Sequence, residues 1–264
     1  MRLARFVADD GRTYIGQLTA DRTARPFVGE LFGELAFADN EVGVRTFLPP
    51  VQPPNVFAIG RNYRAHAEET GARLPERPLV FQKATTALIG HEAPIVLPSE
   101  APDQVDFEAE LALVIGRSAR RVSQERALEY VLGYTCANDV SARDCQASDK
   151  QWTRAKGFDT FAPLGPWLVT PGEIDPDNCA IRSRLNGQLM QDANTGAMMF
   201  SCRRLISYLS RQFTLLPGTV ILTGTPEGVG FARQPQVFLR SGDRIEIEVE
   251  GIGLLSNPVQ HGED

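Results

Sequence analysis

The chain has 264 residues, enough for one large core with a small appendage, and its 42% hydrophobic and 23% charged residues are those of an ordinary globular protein. A formal net charge of -6 with no basic run argues against a nucleic-acid or anionic-membrane surface, and no apolar stretch approaches the length of a membrane span. The first ten residues hold no apolar signal region and the four cysteines form no CxxC pair, so a cytoplasmic protein is expected, with reduced, structural thiols.

Residues 3–7 and 13–18 alternate apolar and polar side chains about Asp9-Asp10-Gly11, a hairpin signal. The stretch Leu48-Pro49-Pro50-Val51-Gln52-Pro53-Pro54 then interrupts any helix or central strand, because proline fixes its own dihedral and lacks an amide donor. It marks a linker between a small β-rich unit, residues 1–50, and a main domain, residues 55–264.

The main domain opens with a strand over 56–59 and a helix over 63–70, capped by Asn62 and ended by Gly71. On that helix His66 and Glu69 lie one turn apart, where a carboxylate can fix an imidazole tautomer and make a general base. An exposed helix with an incidental pair is the plainer alternative. Residues 71–77, with Arg73 and Arg77, join this helix to a strand over 79–82 and read as a lid; Lys83 ends that strand. His91 and His261 read as loop and tail residues.

The strongest chemical signal is Asp106-Phe107-Glu108-Ala109-Glu110, which runs into Leu111-Ala112-Leu113-Val114-Ile115. In one continuous strand, with Asp106 leading into 107–115, the three acids share a face at roughly 6.6 Å per two residues, and the apolar continuation on both faces predicts burial on both sides. Two such charges repel by about 2.5 kcal/mol at an effective dielectric of about 20, so a hard dication with oxygen ligands is the natural compensation. A solvated acidic edge strand is the alternative. A short helix over 123–129 and a strand over 132–137 follow, placing Asp139 at a strand end where it could complete a carboxylate triad with Glu108 and Glu110. With no Cys or His ligand pattern, such a triad suits Mg²⁺, Mn²⁺ or Ca²⁺ better than Zn²⁺. Arg143 and Asp144 read as a structural ion pair.

Lys156 lies between a short helix and a loop. Beyond it, strands are expected over 168–170, 180–185, 220–223 and 245–249, with a helix over 202–210. Gly224-Thr225-Pro226-Glu227-Gly228-Val229-Gly230 could offer backbone amides and the Thr225 hydroxyl to a carboxylate, or be a tight structural turn; it lacks the Gly-Lys-Ser/Thr ending of a P-loop. Strands without regularly interleaved helices favour an α+β, strand-dominated mixed β-sandwich roll or partly open barrel over a doubly wound sheet.

In this order the segments resemble the fumarylacetoacetate hydrolase family, in a bacterial form with a short N-terminal domain. The match runs through Gly60-Arg61-Asn62-Tyr63…His66…Glu69, Phe81-Gln82-Lys83, Asp106 to Leu111, Asn138-Asp139-Val140-Ser141-Ala142-Arg143-Asp144, Lys156-Gly157-Phe158-Asp159, Leu185-Asn186-Gly187 with Gln191-Asp192, and the 224–230 loop. The resemblance implies a homodimer that binds Mg²⁺ or Mn²⁺, with Ca²⁺ as a stand-in, through Glu108, Glu110 and Asp139. It implies His66 and Glu69 as the water-activating dyad, Lys156 as the active-site lysine, and Arg61, Tyr63, Lys83, Gln146 and Thr225 as contacts for an oxo-acid substrate. Hydrolytic cleavage of a carbon–carbon bond in an acylpyruvate or β-diketo acid is the reaction this set suggests first. Isomerisation of a 2-hydroxy-diene dicarboxylate, decarboxylation of an oxaloacetate-like acid, and a non-catalytic oxo-acid binding module are the alternatives.

Overall fold

In the computed structural model, residues 1–29, 31–33 and 35–262 are described, so Glu30 and Glu34 of the expected N-terminal unit and the last two residues of the main domain lie outside the description. The larger of two main sheets runs in the spatial order Thr13–Ala20, Thr23–Gly29, Val42–Leu48, Arg2–Ala8, Ala162–Val169, Val131–Asn138, Ala109–Ile115, Val220–Leu222, Val56–Gly60, Leu79–Lys83. The second sheet orders Gln188–Asn194, Ala180–Leu185, Arg244–Val249, Gly253–His261 and Ile95–Leu97. Most neighbours are antiparallel, but Val220–Leu222 with Val56–Gly60 and Gly253–His261 with Ile95–Leu97 are parallel, so both sheets are mixed. The strand-dominated reading holds. The N-terminal hairpin pairs Leu3 with Gln17 through Val7 with Thr13, and Arg2 and Leu3 pair with Val169 and Leu168, so strands from before and after the 48–54 proline stretch share one sheet.

Every residue of Ala109–Ile115 is buried, as its two-faced apolar run predicts. Leu111, Leu113 and Ile115 join Ile181, Ile247 and Leu255 of the second sheet in one core, while Ala112 and Val114 face a second core with Leu3, Val51 and Leu168. Full burial of each such Leu or Ile stabilises by roughly 1.5–3 kcal/mol, so this strand is an anchor for whatever it carries.

Three local expectations need correction. The predicted continuous strand is two: Val105–Asp106 pairs with Ser141–Ala142, Ala109–Ile115 pairs with Val131–Asn138, and Phe107 and Glu108 belong to neither. At the break, side chains take over from the ladder, with Asn138 Oδ1 accepting the Glu108 amide at 3.0 Å and Gln191 Oε1 the Ala109 amide at 2.9 Å. Asn62 does not cap the helix Arg64–Glu69; its amide is spent on Phe200 and Thr223, and Tyr63 stands at the cap without a side-chain bond. The helix expected over 123–129 is a single 3₁₀ turn, Ala127–Tyr130.

Registers bring one end of five neighbouring strands together. Ala109 pairs with Asn138, Ala137 with Leu164, Ala112 with Leu222, and Leu222 with Ala58. At that end the chain delivers Glu108 and Glu110, Asp139, the approach to Ala162–Val169 that carries Lys156, the 224–230 loop, and the helix bearing His66 and Glu69.

Candidate active site

Glu108, Glu110 and Asp139 are each at most 5% exposed, and one carboxylate oxygen from each lies within 4.8 Å of the others. Two buried lysines and one buried arginine face them. Lys156 Nζ donates to Glu108 Oε2 at 2.7 Å and Asp139 Oδ2 at 2.8 Å, Lys83 donates to Asp139 Oδ1, and Arg143 Nη2 lies 2.8 Å from Glu108 Oε1. Glu110 differs: it accepts only the Gly224 amide, at 2.7 Å, and among the described residues no cationic side chain pairs with it.

Electrostatics follow this asymmetry. Burial pushes the Glu108 carboxyl up, but Lys156, Arg143 and His66 outweigh it and hold Glu108 well below the usual carboxylate range. Burial, then the charges of Asp139 and Glu108, drive the Glu110 carboxyl well above that range. Burial pushes Lys156 down, yet Asp139 and Glu108 keep it above the usual lysine value and cationic; burial dominates for Lys83, whose value falls. A buried carboxylate left without a cation beside two others is what a hard dication satisfies, so the donor set fits one.

His66 Nδ1 lies 2.8 Å from Glu69 Oε1, and the imidazole is 7% exposed on the wall of a cavity of about 410 Å³ that also reaches Glu108, Asp139, Arg143 and Lys156. Arg61, Gln146 and Thr225 line the same cavity. Arg61 takes a left-handed φ of 57° and sets its guanidinium 5.8 Å from the Trp152 ring centre. Gln146 Oε1 accepts Arg143 Nη1 at 2.9 Å, and Thr225 Oγ accepts Gln191 Nε2 at 2.8 Å. Tyr63 and Lys83 stand behind the wall: Tyr63 is 1% exposed with an unpartnered hydroxyl, and Lys83 is spent on Asp139 and the Val140 carbonyl. Of the expected lid, Ala72 touches the cavity, while Arg73 pairs with Glu76 in open solvent.

Three amides of the 224–230 loop are engaged within the chain itself. Gly224 donates to Glu110, Gly228 to Glu69 Oε2 at 2.8 Å, and Gly230 to Asp106 at 2.8 Å. Gly224 adopts φ 100°, and a Cβ there would lie 2.6 Å from Asn62 Cβ, so only glycine brings this amide to Glu110. Arg143 is the residue whose role the sequence misplaces. It bonds Asp106 and Glu108 instead of Asp144, whose carboxylate accepts the Cys145 amide, and neither spacing nor periodicity signals that choice.

A family model described as fumarylacetoacetate hydrolase, C-terminal, matches residues 55–260. The mitochondrial oxaloacetate tautomerase of Xenopus laevis is 47% identical over 214 residues, covering 80% of this chain and 67% of its own. Two solved structures, a 5-carboxymethyl-2-hydroxymuconate delta-isomerase from Mycobacterium smegmatis and a 2-hydroxyhepta-2,4-diene-1,7-dioate isomerase from Mycobacterium marinum, are 43% and 40% identical, with TM-scores of 0.89 and 0.88. They cover 99% and 100% of this chain and all of theirs.

Proposed function

The chain belongs to the fumarylacetoacetate hydrolase family, and on that premise we propose that it is a dication-dependent enzyme that moves a proton within a 2-oxo or 2-hydroxy-diene dicarboxylic acid, as an isomerase or tautomerase. The observation that carries this reading is the meeting of a carboxylate-held imidazole and a buried ammonium on one cavity beside the acid triad. Relatives whose names describe tautomerisation and isomerisation of such acids support it.

Glu108, Glu110 and Asp139 would hold the dication, whose Lewis acidity would make the carbon next to the substrate's 2-oxo group more acidic. The remaining work belongs to the chain's own groups. Glu69 holds Nδ1 of His66, leaving Nε2 free to take a proton from one carbon of the substrate and return it to another atom. Lys156, cationic and out of water, stabilises negative charge that develops on a substrate oxygen. Arg143 and Gln146, bonded to one another, fix the wall against which the acid lies.

A second reading, hydrolysis of an acylpyruvate, is favoured by the same His66–Glu69 pair, since an oriented imidazole also activates water. Product analysis separates the two. With Mg²⁺ or Mn²⁺ present, products of unchanged mass from an oxaloacetate enol or an unsaturated dicarboxylate are expected, at rates exceeding any release of pyruvate plus a second acid from acylpyruvates. Faster acylpyruvate cleavage would reverse the order of the two readings, and CO₂ as the main product would sink both.

A further inference from the structure

The acidic alternation contains one acid that the reaction described above leaves out. Asp106 has no exposure to solvent, and five donors converge on it. Its Oδ1 accepts the amides of Phe107 and Gly230, both at 2.8 Å; its Oδ2 accepts the Phe231 amide at 3.1 Å and Arg143 Nε and Nη2 at 2.9 and 2.8 Å. The same Nη2 lies 2.8 Å from Glu108 Oε1, so one buried arginine is shared between an acid inside the triad and one outside it. The guanidinium also stacks over Phe231, 4.3 Å from the ring centre.

This sharing bears on the triad. Lys156 already occupies the other oxygen of Glu108, at 2.7 Å. With Arg143 Nη2 on Oε1, both oxygens of Glu108 already face protein cations, and a dication has to compete with them; were Arg143 to settle wholly on Glu108, that competition would be stronger. Asp106 offers Arg143 two charge-assisted bonds, from Nε and Nη2 onto the one oxygen Oδ2, against the single one made to Glu108. We propose that Asp106 is a positioning residue that draws Arg143 away from Glu108 and so sets the affinity of the Glu108, Glu110 and Asp139 triad for its dication. This rests on the reading that the triad holds a dication. The approach is built in: a Cβ on Gly230 would lie 1.8 Å from the Val237 carbonyl oxygen and 2.6 Å from Asp106 Oδ1, so only glycine lets this loop bond Asp106.

The test is calorimetric titration of the metal-stripped full chain with Mn²⁺ alone. Wild type should bind saturably; if it does not, the triad reading fails and this proposal with it. Asp106→Asn, which keeps size but removes the charge that holds Arg143, should weaken Mn²⁺ binding about tenfold or more, the usual consequence of disturbing a group that orients a metal ligand. An unchanged affinity beside a lowered melting temperature would reveal a purely structural acid and overturn the proposal alone. Arg143→Gln removes the competitor and should bind Mn²⁺ as tightly as wild type or more tightly. The double variant should match Arg143→Gln, because Asp106 acts through Arg143; an affinity midway between the single variants would mean that Asp106 acts only through its field, and the proposal would fall. Should Asp106→Asn not fold, Arg143→Gln decides, since weakened Mn²⁺ binding there contradicts the assigned competition.

Discussion

Glu69 stands one helical turn beyond His66 with its Oε1 2.8 Å from the imidazole Nδ1, while its Oε2 accepts the Gly228 amide. The carboxylate that holds the imidazole is thereby tied to the loop whose first amide holds Glu110. Glu69→Gln retains an acceptor for Gly228 but loses the charge facing imidazole, and should lower kcat/KM about 10²-fold or more, within the range of general acid–base contributions. His66→Ala should cost at least as much. Steady-state rates with the preferred oxo acid at saturating Mg²⁺ provide the check, and His66→Ala turnover near wild type would remove the imidazole from the mechanism.

In the proposed dication site, Glu110 would make metal binding and pH interdependent. Its carboxyl is raised in the fold by burial and by Asp139 and Glu108, so the neutral form is favoured there relative to the unfolded chain. The metal-free protein therefore keeps its full share of stability from this group below the ordinary carboxylate value and loses it as pH rises toward the raised folded value. Dication binding opposes that loss by stabilising the ionised form. Melting temperatures of chelator-treated protein should fall from pH 5 to pH 8, the stabilisation by Mn²⁺ should grow over the same interval, and Glu110→Gln should flatten both trends.

What the sequence makes legible here, and what it hides, divides along a physical line. Strand Ala109–Ile115 and the acids it carries are readable because period-two alternation and a two-faced apolar run are local properties of the chain. The break at Phe107 and Glu108 is not, since it depends on Asn138 and Gln191, 30 and 82 residues away, supplying the missing acceptors. Arg143 and Asp106 are opaque for the same reason: an arginine next to an aspartate in sequence pairs with another 37 residues back, and only the strand register makes that choice. The 224–230 loop is legible as a set of amides but not as one already engaged by Glu110, Glu69 and Asp106.

The four thiols are free and buried, as the absence of a CxxC pair implies. Burial pushes Cys136 up to about 12 and Cys179 up to about 11, and raises Cys145 and Cys202 as well. Because the thiolate is the reactive species, each is held in its inert form at neutral pH. Ellman's reagent at pH 8 should label the native chain slowly and the denatured chain at all four positions; a rapid native stoichiometry of one or more would place a thiol where solvent reaches it.

Arg61 stands apart from the other cavity arginine. Arg143 is committed to Asp106, Glu108 and Gln146, whereas Arg61 lies against Trp152 and forms no ion pair among the described residues. Its left-handed φ of 57° costs energy for a residue with a Cβ, and that strain is kept on the cavity wall next to the helix that carries His66 and Glu69. On the proposed function, a cation with no carboxylate partner among the described residues at the edge of this cavity would suit the distal carboxylate of a dicarboxylic acid. Arg61→Ala should raise KM for a dicarboxylate about tenfold or more, since a charged group is being removed from a polar contact, with little effect on kcat or on a substrate that lacks the second carboxylate. The comparison also rules out general damage: equal losses with both substrates would show that Arg61 shapes the wall and reads no second charge.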